Sequence, residues 1–490
     1  MKHMLKHKWF RSAGTLAIIW SLFSTVCLTS PTGNTPLWAG RLIVNAEEDS
    51  GSTDFATQAE ERKSETISSN EIPNWPDGPE IGAEGAILME ASTGTILYEK
   101  NIHEKLYPAS TTKILTCLLA AESCENINDM VKFSNEAVFS VPVDGSSMGI
   151  DVGQSITVEQ CLYGIMVGSA NEVANALAEY TAGSVSAFAD MMNTKAKELG
   201  CTDSHFVNPN GLFSEDHYTS AYDLATIARD FFNNELLSRI ANTPRYHFTP
   251  TSTQPDDFYL LNKHKLITQE IPYEGIIGGK TGYTDEARET LVTCAEQNGM
   301  RLICVIMKEE SPNQFYDTTA LFDYGFQNFQ MVNVADHETH YVIDNESFFS
   351  SSQDIFGNSK PILSLNSKDR ILLPNTITFD EVESSLSYDD LDTTQAAKIA
   401  YSYQGIPLGT ASVNYNVNIS DTGSGNDSTS EEENIIFINV KNIILWTLGI
   451  SIAICFLLFL QSLFNSYYFS RRRSIWKGRL DSKKRHRKFK

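Results

Sequence analysis

The chain has eight cysteines but no C-x-x-C pair and no cysteine spacing that reads as a metal site. Two of them, Cys27 and Cys455, lie in membrane-type apolar runs; the other six sit mostly in helix or strand patterns, as buried free thiols do, and a disulfide stays open. No internal repeat is visible, so a solenoid or propeller array is not expected. Basic residues are also scarce through most of the chain: the formal net charge is −23, although residues 471–490 hold 11 Lys or Arg against the single acid Asp481. That tail has no aromatic platform beside it, which argues against nucleic acid as a partner. The acidic bulk argues against nonspecific adhesion to anionic polymers. At 490 residues the chain is too long for one core, and length implies two or three domains.

The two ends are apolar and basic. Lys2, Lys6, Lys8 and Arg11 precede an uncharged stretch from Thr15 to Thr29, so residues 1–45 read as a signal peptide or N-terminal anchor. Residues 46–79 are rich in Glu, Ser, Thr and Asp and are expected to form a disordered linker. Near the other end, an acidic Gly/Ser-containing linker is expected over 419–438. Residues 442–464 follow without a charge, and at about 1.5 Å per residue they are long enough to cross a hydrocarbon core of about 30 Å as a transmembrane helix. A basic tail over 465–490 beside such a span marks the cytoplasmic side and places the remainder outside, in a cell-membrane protein with a single-pass C-terminal anchor.

Between these ends, three short segments carry chemistry: Ser110-Thr111-Thr112-Lys113, Ser169-Ala170-Asn171 and Lys280-Thr281-Gly282. Each alone is a common string, but their order and contexts together are not. Tyr107-Pro108-Ala109 leads into Ser110, and an apolar run of helix formers continues from Lys113 to Ala121, so a buried helix should begin beside the serine. Three residues apart on a helix, Ser110 and Lys113 share one face. An amine held out of water near a second cation can act as a base, which makes Ser110 the candidate nucleophile and Lys113 its base. The second segment is a polar break between two apolar helical runs, presenting the Ser169 hydroxyl to relay a proton and the Asn171 amide to hold a substrate amide. The third has an apolar lead and glycines, as expected of an edge strand lining a site, with Lys280 and Thr281 facing a substrate carboxylate.

With these motifs, Gly94–Asn101, Asn208-Pro209-Asn210-Gly211-Leu212, His217–Leu224 and Lys280–Ala287 make the stretch from about Glu84 to Phe326 resemble the serine-type D-alanyl-D-alanine carboxypeptidases, the low-molecular-mass penicillin-binding proteins. The resemblance implies a penicillin-sensitive D,D-peptidase that removes the terminal D-Ala of peptidoglycan stem pentapeptides through an acyl-enzyme. It implies Ser110, Lys113 and Ser169 as catalytic residues, and Asn171, Lys280, Thr281, Gly282 and Tyr283 as substrate-binding residues. The backbone N–H groups of Ser110 and Tyr283 would form the oxyanion hole, and neither metal nor organic cofactor is required. The fold expected is an α/β (α+β) catalytic domain over 80–330, with an antiparallel sheet flanked by helices, followed by a small all-β domain over 331–418. The short alternating runs at 339–343, 361–365, 370–373, 397–403 and 410–417 point to the same β domain.

The chain departs from the family at three places: Glu172 follows the second motif in place of Asp, Ala287 is followed by Arg288 where relatives have Gly, and Gln314 stands where relatives often place a carboxylate-pairing arginine. A catalytically weakened wall-binding or regulatory protein is therefore the alternative reading. A class A β-lactamase also shares the three motifs, but no recognisable deacylating glutamate motif stands between Asn171 and Gly278.

Overall fold

The computed structural model describes residues 54–415, except 252, 342–362 and 390. Its centre is an antiparallel sheet of β1 (Gly85–Glu90), β2 (Ile96–Lys100), β3 (Ile276–Thr284), β4 (Arg288–Gln297) and β5 (Met300–Glu309), in the order β2-β1-β5-β4-β3. Successive residues of a strand point to opposite faces, and here both faces are covered. Ile87 and Met89 of β1 enter one apolar cluster, while Ala86 and Leu88 enter the other. The inner strands therefore read as continuous apolar runs, β1 being buried at every position.

The first cluster is filled by α2 (Lys113–Ser123), α3 (Val158–Met166), α4 (Asn171–Ala182), α5 (Val185–Glu198) and α6 (Ala221–Asn233). A capping box starts α3, with Thr157 Oγ1 accepting from Gln160 N and Gln160 Oε1 accepting from Thr157 N. The chain then breaks at 167–170 before α4. α7 (Asn313–Asn328) covers the opposite face.

Beyond α7, β6 (Phe329–Asn333) pairs with β8 (Arg370–Pro374), and β7 (Leu363–Leu365), β9 (Glu383–Ser387), β10 (Gln395–Tyr403) and β11 (Ile406–Tyr415) form a sheet in the order β7-β11-β10-β9. Gln404 and Gly405, both at positive φ, turn β10 into β11, as that dipeptide predicts. Thr339–Tyr341, expected to start a strand, instead turns around Glu338, whose Oε1 accepts from His340 N at 2.7 Å and Tyr341 N at 3.1 Å.

The linker expected over 46–79 needs correction from Asp54 onward. Phe55–Arg62 forms helix α1, and Ser68–Glu71 a 3-10 turn. Arg62 donates from Nε to the Gly82 carbonyl at 2.8 Å and from Nη2 to the Lys308 carbonyl at 2.9 Å, while buried Trp75 donates from Nε1 to the Leu97 carbonyl at 2.9 Å. Composition missed this because the apolar anchors are few, Ile67, Trp75 and Ile81 among them, and backbone carbonyls in and beside the sheet accept from Arg62 and Trp75.

The expectations for 1–45, 419–438, 442–464 and 465–490 lie outside the described residues. Among the described residues, no helix is long and apolar enough to cross a membrane.

Candidate active site

Ser110 lies in a 3-10 turn, Ala109–Thr112, that runs into α2. Two glycines permit the crowding around it. A Cβ on Gly211 (φ +81°) would stand 1.8 Å from the Ala109 carbonyl oxygen, and one on Gly282 would stand 2.9 Å from Ser110 N. The Asn-Gly-Leu and Lys-Thr-Gly wordings thus both follow from backbone packed against the serine turn. Behind it, Thr112 Oγ1 meets His217 Nε2 at 2.8 Å, and Val207 N donates to His217 Nδ1 at 3.1 Å. Nδ1 is therefore the acceptor and Nε2 carries the proton; burial pushes this imidazole down to about 3, so it stays neutral.

Lys113 is fully buried, and its Nζ donates to Ser110 Oγ at 2.8 Å, Asn171 Oδ1 at 2.7 Å and the Asn210 carbonyl at 2.5 Å. Burial, and then the charge of Lys280, push this amine well below its ordinary range. A neutral amine has two N–H bonds and one lone pair. Two of its three partners are carbonyl oxygens, which can only accept, so the neutral form directs its lone pair at the Ser110 hydroxyl.

Ser169, in the break between α3 and α4, has φ +57° and is buried. Lys280, on edge strand β3, donates from Nζ to Ser169 Oγ at 3.1 Å and to the Thr281 carbonyl at 2.6 Å. Burial and then Lys263 push Lys280 down to about 7. The three motifs therefore meet in two contacts, Ser110–Lys113–Asn171 and Ser169–Lys280.

Ser110, Ser169, Asn171, Thr281, Gly282 and Tyr283 all line one open cleft of about 390 Å3, which Lys113 and Lys280 support from behind. Tyr283 is half exposed, and its hydroxyl donates to Asp285 Oδ1 at 3.0 Å. Among the described residues, no group of three or more His, Cys, Asp or Glu is placed to hold a metal ion, and all six cysteines are free thiols.

Several cleft groups escaped the motif reading. The Asn210 carbonyl completes the lysine's environment. Glu172 is buried, and its Oε1 accepts from Ser147 Oγ (2.8 Å), Met148 N (2.7 Å) and Gly149 N (3.2 Å); together with the Asn171 N–H on Ser146 O (2.9 Å), this holds the loop whose Asp144, Gly145 and Ser146 form one cleft wall. Lys263, Lys265 and Glu289 also line the cleft. Nothing local announced the two lysines or the Glu172 contacts.

The sequence pattern of the family described as D-alanyl-D-alanine carboxypeptidase matches residues 72–311. D-alanyl-D-alanine carboxypeptidase DacB2 of Mycobacterium tuberculosis is 32% identical over 257 residues, which cover 51% of this chain and 84% of that protein. The chain belongs to the D-alanyl-D-alanine carboxypeptidase family. DacF of Bacillus subtilis, another carboxypeptidase of that name, is 36% identical over 253 residues, 51% of this chain but only 63% of DacF's own length. Penicillin binding protein 5 of Haemophilus influenzae superposes with a TM-score of 0.54 over 69% of this chain and 98% of that one, at 24% identity, a likeness that speaks to the fold. The expected antiparallel sheet with helices on both faces is thus the penicillin-binding-protein fold of this carboxypeptidase family.

Proposed function

We propose that this protein is a serine D,D-carboxypeptidase that removes the terminal D-alanine of peptidoglycan stem pentapeptides and is acylated by β-lactams. The observation that carries the reading is the Lys113 amine, buried 2.8 Å from Ser110 Oγ with its other two partners able only to accept. As Ser110 Oγ attacks the carbonyl of the penultimate D-alanine, Lys113 takes the hydroxyl proton. The Ser110 and Tyr283 backbone N–H groups receive the oxyanion. Ser169, held by Lys280, relays a proton to the departing D-alanine nitrogen as the C–N bond breaks. Asn171 holds the stem-peptide amide, and Thr281 faces the terminal carboxylate. Water then cleaves the Ser110 ester by the reverse proton path.

The same reading includes a catalytic domain over 80–330, an all-β domain over 331–418 holding it away from the membrane, a spacer over 419–438, an anchor over 442–464 and a cytoplasmic tail over 465–490. The uncharged run and the basic cluster in the sequence support it.

The test is release of D-alanine from a synthetic pentapeptide beside labelling by a fluorescent penicillin. Wild type should do both and Ser110→Ala neither; a Ser110→Ala protein that still labels refutes the nucleophile. Gln314, neutral and buried in the cleft, favours a second reading, a regulatory protein with weakened turnover. Labelling without D-alanine release would establish it.

A further inference from the structure

The terminal carboxylate of the proposed substrate needs a cation, and most cations near the cleft are already committed. Arg288 donates from Nε and Nη2 to the two oxygens of Glu310, each at 2.7 Å, and from Nη1 to the Tyr283 hydroxyl at 3.1 Å. Its guanidinium also lies over the Phe55 ring at 4.1 Å. Lys280 is held by Ser169 and the Thr281 carbonyl, and it titrates near neutrality. Gln314, on α7, is buried and uncharged, and its Oε1 has no partner.

One turn supplies what is missing. Along residues 262–265 the chain alternates: Asn262 and His264 are buried, whereas Lys263 and Lys265 face the cleft. His264 anchors the turn to the sheet. Its Nε2 lies 2.9 Å from Thr293 Oγ1 on β4, and a Cβ on Gly279 would stand 2.5 Å from that nitrogen. Its carbonyl accepts from Ile267 N and Thr268 N, both at 3.0 Å, and Asn262 Oδ1 accepts from its N–H at 3.0 Å. The two lysines are thereby delivered to different neighbours along the cleft. Lys263 donates to Ser146 Oγ at 3.3 Å, on the wall beside the second motif. The Lys265 ammonium lies 5.9 Å from the centre of the Phe315 ring, and Phe315, Gln314 and Thr281 line the same cleft.

We propose that Lys265 is the specificity-determining cation of this cleft, recognising the terminal carboxylate of the peptide or the carboxylate of a penicillin, with Gln314 as a neutral hydrogen-bonding partner. Glu289 lines the same cleft and feels the Lys265 charge, so the ammonium is shared between an internal carboxyl and the incoming one. Arg288 and Glu310 also face Glu289, and that pair is closed on itself. The inference rests on the carboxypeptidase reading for its peptide substrate, but acylation by a β-lactam tests it separately.

The experiment measures second-order acylation of the full chain by benzylpenicillin and by benzylpenicillin methyl ester, which differ only in the carboxylate. The acid-to-ester ratio should fall about tenfold in Lys265→Ala and Lys265→Gln, within the worth of a hydrogen bond to a charged group. Lys265→Arg should keep the ratio within about threefold, since both side chains carry the charge. Glu289→Gln should raise it by removing the competing carboxyl, and Gln314→Arg should restore it in the Lys265→Ala background by returning a cation to the cleft. An unchanged ratio in both neutral Lys265 variants overturns the proposal. Acylation with a normal ratio pattern but no D-alanine release would instead overturn the carboxypeptidase reading and leave this one standing.

Discussion

Lys113 and Lys280 are both buried, and the charge of Lys280 adds to burial in pushing Lys113 down. Removing Lys280 therefore makes protonation of Lys113 easier and raises its titration point. The acid limb of the acylation pH profile should then move to higher pH in Lys280→Met, whatever happens to its height; a limb that stays or moves down shows that the two amines do not communicate. For Lys113 itself, Lys113→Ala and Lys113→Arg should fold yet lose acylation by about 10²–10⁴-fold, the usual cost of removing a general base. Penicillin labelling with stopped-flow quenching measures this, and near-normal rates would reassign the base. At this scale the contact between Ser110 and Lys113 was readable in the sequence, because a three-residue spacing on a helix is a local geometry. The Asn210 carbonyl was not readable as a partner, since 97 residues separate it from Lys113.

Edge strand β3 approaches the serine turn so closely that only glycine fits at 282. A Cβ there would stand 2.3 Å from Thr290 Oγ1, 2.9 Å from Ser110 N and 3.0 Å from Pro108 O. Gly282→Ala should push β3 away from the oxyanion position and cut acylation by at least about tenfold, while the thermal midpoint falls by only a few degrees, as about 1 kcal/mol shifts it in a chain this large. Equal acylation in the variant would show that the two backbones are free to separate. α7 carries a different strain. Burial, and then Glu309, push the Asp317 carboxyl far above its ordinary range, while its Oδ2 accepts from Gly82 N at 3.2 Å. A carboxyl raised on folding holds its proton in the native state while the unfolded chain releases it, so its contribution to stability falls as pH rises from the ordinary aspartate range through the raised value. Asp317→Asn should flatten that decline and gain stability over wild type on the alkaline side, measured by denaturant unfolding across pH; a variant less stable at every pH would show that the carboxylate is needed. The helix after Ser110 and the helical runs on both sides of the second motif were legible from their apolar spacing. The segment before residue 79 was not, because Arg62 and Trp75 bond to the backbone carbonyls of Gly82, Lys308 and Leu97, all 20 or more residues away.

The second apolar cluster runs from the far face of the main sheet through α7 into the small sheet, so the β region and the peptidase fold share packing. Thr95 Oγ1 donates to the Pro407 carbonyl at 2.9 Å, and the Tyr403 hydroxyl to the Pro73 carbonyl at 3.2 Å, adding polar ties between them. Orientation at a membrane is the prediction for the whole chain. Protease added outside intact spheroplasts should digest the catalytic region and spare an epitope placed after Lys490, because the basic cluster in 471–490 favours the cytoplasmic side. Loss of that epitope in sealed cells would reverse the topology.

Residue order alone determined the three motifs, the helix that follows Ser110 and the family, because each rests on short-range spacing: Ser110 with Lys113, Ser169 with Asn171, Lys280 with Thr281 and Gly282. Only the tertiary structure decided which cations are available. Arg288 is the first basic residue after the third motif in the sequence, yet in the fold Glu310, Tyr283 and Phe55 surround it. Lys265 carried no motif, and reaches the cleft because buried His264 fixes the side on which its neighbours emerge. Whether a charge is free for substrate depends on desolvation and on partners distant in the chain, and neither is written in local spacing.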